Sequence, residues 1–319
     1  MKRVSITLIA GVVASAAFAQ SSLSTGFEAP SWNLGNANQN GFAAYGNSPV
    51  KGVIQDTYAR SGSQALNLRT LDTQAEMDNL WGVINGYHTA QIDKAGESVT
   101  ANGPRSGDRF RASFWYRTPD AAPTVWNYDP TNPNPALNYG GFLQLNPAFD
   151  TNRYGWVGLI DGAQDASGFY SASDGIVVEI DTPTNSTDLN EWDYTPVAKN
   201  LAWGSWYRFE YDIQFVDGLS GNAPNDIFTV SIFNSSNSLL GSVSRSTWEA
   251  GFAGAGAAWG GAGPWSVNGL DFQKLTNAAG QNLGYIDDLQ FEAVPEPFTM
   301  TLLAAGLAAV ARKRRTQSK

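Results

Sequence analysis

Strict two-residue alternation is the feature that most limits what this chain can fold into. In Trp206-Tyr207-Arg208-Phe209-Glu210-Tyr211-Asp212-Ile213-Gln214-Phe215 every odd position from 207 to 215 is apolar or aromatic, and the even positions are polar except Trp206. Successive side chains of a strand point to opposite faces, so this pattern specifies a half-buried antiparallel strand. Arg109 to Arg117 alternates too, with Phe110, Ala112, Phe114 and Tyr116 expected to face inward. Asp226–Phe233 and Leu239–Ser244 flank Asn234-Ser235-Ser236-Asn237-Ser238 as the arms of a hairpin would. Ile176 to Asp181 and Gly284 to Glu292 read as further strands. No stretch of about 11–18 residues sustains a helical apolar stripe. Turns dense in Gly, Asn, Asp and Pro separate the strands. The Asn127–Asn138 loop, with Pro130, Pro133 and Pro135, cannot be helix or central strand, and the Ala250–Gly263 loop is rich in Gly and Ala. Strands resume on both sides of each loop, so residues 20–292 are expected to form one all-β domain of two packed antiparallel sheets.

Composition closes off several chemistries. The chain has no Cys and a single His, His88. Disulfides, thiol nucleophiles, Cys-ligated zinc and iron–sulfur centres are excluded, as is any multi-His metal cluster. Twenty Lys+Arg stand against 29 Asp+Glu, which argues against nucleic acid as a partner, because phosphates demand a basic face.

The two ends read as addresses. Lys2 and Arg3 precede an apolar stretch from Val4 to Val13, and Ala17-Phe18-Ala19 is a small-x-small cleavage site. Residues 1–19 are therefore expected to be a secretory signal helix, cut between Ala19 and Gln20, that exports the chain. At the other end, residues 293–319 hold Pro295-Glu296-Pro297, an apolar run from Phe298 to Ala311, and the basic cluster Arg312-Lys313-Arg314-Arg315. Fourteen residues as a helix span about 21 Å against a hydrocarbon core of about 30 Å. Snorkelling and local thinning can close that gap, so a short transmembrane helix is expected, with the membrane as a partner and the basic cluster inside.

This tail resembles the PEP-CTERM sorting signal, which has the same three parts in the same order. The resemblance implies processing by an exosortase at the membrane of a Gram-negative-type bacterium that makes exopolysaccharide. It also implies residence at the cell surface or in the extracellular matrix. With the two basic residues of 1–19 and the five of 298–319 set aside, 13 basic and 29 acidic groups remain, a net charge of −16. Such a domain is self-repelling and soluble, and its oxygens suit a hard cation such as Ca²⁺.

The body resembles concanavalin A-like and carbohydrate-binding-module jelly rolls. The matching pieces are Gly26-Phe27-Glu28 with Trp32, then Ala59 to Leu68, the Phe110–Tyr116 strand, and Gly284 to Phe291 with Asp287-Asp288 at its centre. In such jelly rolls the first and last strands pair, and a structural Ca²⁺ often pins them. The resemblance therefore implies Glu28, Asp287 and Asp288 as metal ligands.

Three functions follow as alternatives. Non-catalytic binding of a polysaccharide is the favoured one. Sugar rings stack on aromatic faces, and Trp115, flanked by Arg111 and Arg117 on the face opposite the core set, is expected to form a platform. Trp126, Tyr128, Trp259 and Trp265 on the two long loops extend it. A structural surface protein without a defined ligand is the second. A glycan-cleaving enzyme is the third and is expected not to hold. Val178-Glu179-Ile180-Asp181 resembles the start of the E-x-D-x-E signature of family 16 glycoside hydrolases, but Pro183 and Thr184 stand where the second acid belongs. Tyr87 and His88, the one pair a polysaccharide lyase could use, are sequence neighbours that a strand would point apart. No nucleophile-elbow, Walker or dinucleotide motif is present.

Overall fold

The computed structural model describes residues 22–37, 39–40, 43–45, 50–70, 72–73, 89–91, 109–125, 140–149, 152–153, 155–165, 168–183, 192–214, 226–247, 269–274 and 279–294. In chain order the strands are β1 (Ser22–Thr25), β2 (Gly35–Asn36), β3 (Ala43–Tyr45), β4 (Val50–Gln55), β5 (Ala65–Thr70) and β6 (Thr89–Gln91). Next come β7 (Arg109–Arg117), β8 (Gly141–Phe149), β9 (Asn152–Arg153), β10 (Trp156–Asp161) and β11 (Ile176–Pro183). The last are β12 (Trp192–Leu201), β13 (Trp206–Gln214), β14 (Ile227–Phe233), β15 (Leu239–Ser246), β16 (Gly269–Lys274) and β17 (Asn282–Val294). They build two sheets. The first runs β15-β14-β13-β7-β17-β5-β4-β2, with β1 beside β17; the second runs β12-β11-β10-β8-β16-β6-β3, with β9 beside β8. Every pairing is antiparallel. The all-β, two-sheet antiparallel sandwich is therefore the observed architecture.

The alternation explains the packing. In β13, Tyr207, Phe209, Tyr211 and Ile213 are buried, and the intervening residues are half-exposed. On β7 the expected inward set, Phe110, Ala112, Phe114 and Tyr116, is the buried one. Phe114 stacks on Phe209 at 5.3 Å and meets Tyr211 edge-on at 5.5 Å. Burying a tyrosine hydroxyl costs free energy unless it finds a partner. Tyr211 donates to Leu145 O at 2.8 Å, a hydrogen bond that crosses from one sheet to the other. Tyr116 donates to Leu283 O at 2.6 Å.

The central pairing is β7 with β17, and β17 bulges within it. Asp287 faces Trp115 and Gln290 faces Ser113, so three steps on β17 match two on β7. Asp288 takes up the extra residue at φ 49°. Beyond the bulge β17 pairs with β1, before it with β5. The chain segments after β1 and before β5 are thereby brought to one spot beside Asp287.

One expectation is corrected. Among the described residues the helical structure is a single 3-10 turn, Ala172–Asp174, and no helix is long and apolar enough to cross a membrane. This overturns the signal helix expected over 1–19, the short transmembrane helix expected near the C-terminus, and the membrane partnership that rested on it. The structure draws Ala293 and Val294 into β17 opposite Phe110 and Arg109 instead. The apolar run that follows is short of a bilayer span by about a third. Residues 1–21 and 295–319, including Ala19, Gln20, Pro295, Glu296, Pro297, Arg312, Lys313, Arg314 and Arg315, lie outside the described residues.

Candidate functional site

The outer face of the second sheet carries polar groups that a solvent-facing sheet does not need to bury. On β8, β10 and β11 the residues Leu143, Leu145, Val157, Leu159, Val178 and Ile180 point into the core. Alternation puts their neighbours on the other face. Cross-strand register then sets Gly158 beside both Gln144 and Glu179, Trp156 beside Asp181, and Asp181 beside Tyr194 of β12. Glu179 and Asp181 are each only 2% exposed, and Gln144 and Asn146 are equally closed off. Gly158 makes the lateral fit possible, since a Cβ there would lie 3.3 Å from Glu179 Oε1. Asn146 Oδ1 accepts from Val157 N at 3.0 Å.

The segment between β10 and β11 supplies the cover. Its ends are tied by Gly162 N donating to Gly175 O at 2.9 Å. Tyr170 returns over β11, packs with Ile160 and Val177, and donates its hydroxyl to Glu179 Oε2 at 2.7 Å. Asp165 Oδ2 accepts from Tyr170 N, and Asp174 Oδ2 accepts from both N and Oγ of Ser171. Lys199 of β12 pairs with Asp174 at 2.9 Å and lies 5.3 Å from the Tyr170 ring. Just before Tyr170, Phe169 stands 61% exposed, its ring tilted against Tyr194 at 5.4 Å.

Electrostatics follow from the burial. Loss of solvent pushes the Glu179 carboxyl up to about 8; the Tyr170 hydrogen bond opposes this and the Asp165 charge adds to it. Glu179 therefore carries its proton at neutral pH. Burial, then the Glu179 charge, raises the Tyr170 hydroxyl. Burial, then Asp181 and Glu179, raises that of Tyr194. The open part of this arrangement is the Phe169 ring against Tyr194, which can stack on the apolar face of a ring.

The residues expected to form a glycan platform are placed elsewhere. Trp115 is 9% exposed, with the Arg60 guanidinium 4.2 Å from its ring, so it is not an open surface. Arg111 is exposed, but it bridges Asp212 at 3.1 Å and Glu292 at 3.4 Å. Arg117 is buried, ion-paired with Asp120 at 2.6 Å and lying 3.8 Å from the Tyr58 ring. These side chains brace the outer face of the first sheet. Trp126, Tyr128, Trp259 and Trp265, and the pair Tyr87 and His88, lie outside the described residues.

Glu28, Asp287 and Asp288 do come together at the β17 bulge. A Cβ on Gly26 would lie 3.5 Å from Asp288 Oδ1, 3.7 Å from Asp287 Oδ1 and 3.8 Å from Glu28 Cγ. Their oxygens, however, hold the turn over residues 60–64. Asp287 Oδ2 accepts from Arg60 N at 2.7 Å and Ser61 N at 3.0 Å; Asp288 Oδ1 accepts from Ser61 Oγ at 2.6 Å. Glu28 Oε1 accepts from Ser63 N and Gln64 N, and Oε2 from Ser63 Oγ, all at 2.9 Å. Burial pushes Asp287 up to about 6 despite three backbone N–H donors. Burial acts upward on Glu28 as well, but its donors together hold its carboxyl below the usual value. Among the described residues no group of three or more acidic or His side chains is placed to hold a metal. As arranged, the three acids are a clamp on that turn.

Sequence reasoning missed Phe169, Tyr170, Tyr194, Gln144 and Asn146. One signal was available: Leu143-Gln144-Leu145-Asn146 alternates, which puts two amides on the face away from the core.

No family model matches the chain and no curated protein matches it. Solved structures are similar at low identity. One is a protein of unknown function from Shewanella oneidensis MR-1, at 15% identity over 86% of this chain and 79% of that one, with a TM-score of 0.31. A PL-14 alginate lyase from Aplysia kurodai shares 8% identity over 75% and 86%, with a TM-score of 0.39. Lectin II from Ulex europaeus shares 13% over 86% and 98%, also at 0.39. The resemblance to these structures is thus distant, and it assigns no activity to this chain.

Proposed function

We propose that this chain is an exported glycan-binding protein that does not cleave its ligand, and that it contacts the glycan through the outer face of the second sheet. The observation that carries this reading is the pairing of an exposed aromatic, Phe169 against Tyr194, with buried Gln144, Asn146, Glu179 and Asp181 beside it. Keeping a carboxyl buried against its own ionisation costs stability, and such groups concentrate at functional sites. The absence of an acid at Pro183 supports binding without hydrolysis, since a retaining mechanism needs two carboxylates.

The full chain is expected to be retarded in gels containing polysaccharide. Phe169→Ala should weaken that retardation about three- to tenfold, the worth of one aromatic stacking contact. The same incubations should release no new reducing ends and no unsaturated product. Retardation that persists unchanged in Phe169→Ala would move the site elsewhere; no retardation on any polysaccharide would leave a structural surface protein.

Export rests on the Ala17-Phe18-Ala19 cleavage site in the sequence and not on a helix before it. N-terminal sequencing of protein recovered outside the cell should begin at Gln20. An intact Met1 on protein held in the cytosol would sink this part of the reading.

A further inference from the structure

We infer that Arg60, on the outer face of the first sheet, holds a carboxylate carried by the glycan, so that the ligand is a polysaccharide with scattered uronate residues. This rests on the glycan-binding reading above and adds a second point of contact on the opposite sheet. The turn that carries Arg60 is fixed from below, where Asp287 Oδ2 accepts from the N–H groups of Arg60 and Ser61. Arg60 is exposed, yet its side chain is held twice more. The guanidinium lies 4.2 Å from the Trp115 ring, and Nη2 donates to Ser235 O at 3.2 Å. An arginine pinned in this way has little conformational freedom left to lose when it meets a ligand.

Its charge is also unmatched. On β5, β7 and β13, Arg69 is paired with Asp72, Arg109 and Arg111 with Asp212, Arg117 with Asp120, and Arg208 with Glu210. Among the described residues the Arg60 guanidinium has no carboxylate partner, although acids outnumber bases 29 to 20 in the chain. The acids of the clamp hold the turn itself, while the guanidinium runs away from them. Asp287 is level with Trp115 of β7, and Ser235 follows Phe233 of β14, two strands further on. The N–H groups of Arg60 that Ser235 leaves over suit a planar, bidentate acceptor, which is how arginine takes a carboxylate. Beside it the hydroxyls of Ser235 and Ser236 are exposed and, among the described residues, have no hydrogen-bond partner, so they can meet sugar hydroxyls next to that carboxylate. One fixed cation on an acidic body suits isolated carboxylates. A polymer charged at every residue would be repelled by the summed negative charge.

The test is affinity electrophoresis of the full chain at pH 7 in gels carrying glucuronoxylan, or the same polymer with its carboxyls reduced to alcohols. The carboxylated polymer should retard the wild-type chain about three- to tenfold more strongly, the worth of one charge-assisted pair. Arg60→Gln, shown by its melting curve to be folded, should bring the two polymers level. Arg111→Gln removes an equal charge from the same face, where Asp212 and Glu292 engage it, and should leave the preference intact. Equal retardation of the wild-type chain by both polymers would overturn this inference and leave glycan binding standing. A preference that survives in Arg60→Gln, or that Arg111→Gln abolishes as fully, would overturn it too. Retardation by neither polymer would also remove it, while retardation by another polysaccharide would still uphold glycan binding.

Discussion

Replacing Gly284 by Ala is expected to destabilise the protein by about 3–5 kcal/mol, combining left-handed backbone strain with overpacking of a closed core. Gly284 sits at φ +114° in β17, a conformation that L side chains rarely adopt. A Cβ there would lie 2.5 Å from Arg117 O on one side, and 2.5 Å from the Tyr116 ring and 2.6 Å from its hydroxyl oxygen on the other. Neither neighbour can retreat. Arg117 O belongs to the central β7–β17 pairing, and Tyr116 is fully buried with its hydroxyl fixed on Leu283 O. Gly284 is also held in place by Asn67 Nδ2, which donates to its carbonyl at 2.9 Å, and by Asn282 Oδ1, which accepts from its N–H at 3.0 Å. Against a total stability of about 5–15 kcal/mol this is a large loss. Thermal unfolding should show a midpoint lower by on the order of 10 °C, with much of the protein insoluble on expression. A midpoint within about 2 °C of the parent would contradict the geometry.

The second large effect concerns pH. Glu179 ionises at about 8 in the folded protein, well above a carboxyl in an unfolded chain. Between pH about 4.5 and 8 the folded state holds a proton that the unfolded chain has released. Stability from this group is therefore full below that window and lost as pH rises through it, to a limit of about 5 kcal/mol. Asp287, pushed up to about 6, acts in the same direction over a narrower range. Glu28, held below its usual value, acts oppositely and weakens the fold only on strong acidification. The wild-type chain should thus melt on the order of 10 °C lower at pH 9 than at pH 5.5. Glu179→Gln should remove most of that difference, because the amide has no proton to lose. A Gln variant that falls as steeply as the parent would show that Glu179 is not the responsible group.

The parts of this architecture that were legible in the sequence are those with local causes. The Tyr207–Ile213 and Phe110–Tyr116 patterns named both their strands and their buried faces, because a period of two depends on nothing beyond the strand itself. The acids at 28, 287 and 288 were legible as a group, but the turn they hold was not. Their oxygens are taken by backbone donors of residues 60–64, and only the gap left between β1 and β5 along β17 brings that turn within reach. Trp115 failed as a platform for a related reason: the turn that the acids hold carries Arg60 across its ring. Glu179 and Asp181 were visible as a motif fragment, yet their burial depends on Tyr170 folding back over β11, and nothing in the Val178–Asp181 stretch encodes that return. The expected terminal helices rested on composition at the chain ends, where the last strand instead takes two of the tail's residues into the sheet.

The pairing of β1 with β17 sets Ser22 opposite Glu292 and Thr25 opposite Leu289, so the start of one strand lies beside the finish of the other. Tension applied between the two extremities of the body loads that ladder in peeling geometry, one rung at a time, each worth only about 1 kcal/mol. Mechanical failure therefore begins as an unzipping of the outermost rung, while the β7–β17 seam behind it still holds, which makes this sandwich a soft link when pulled end to end.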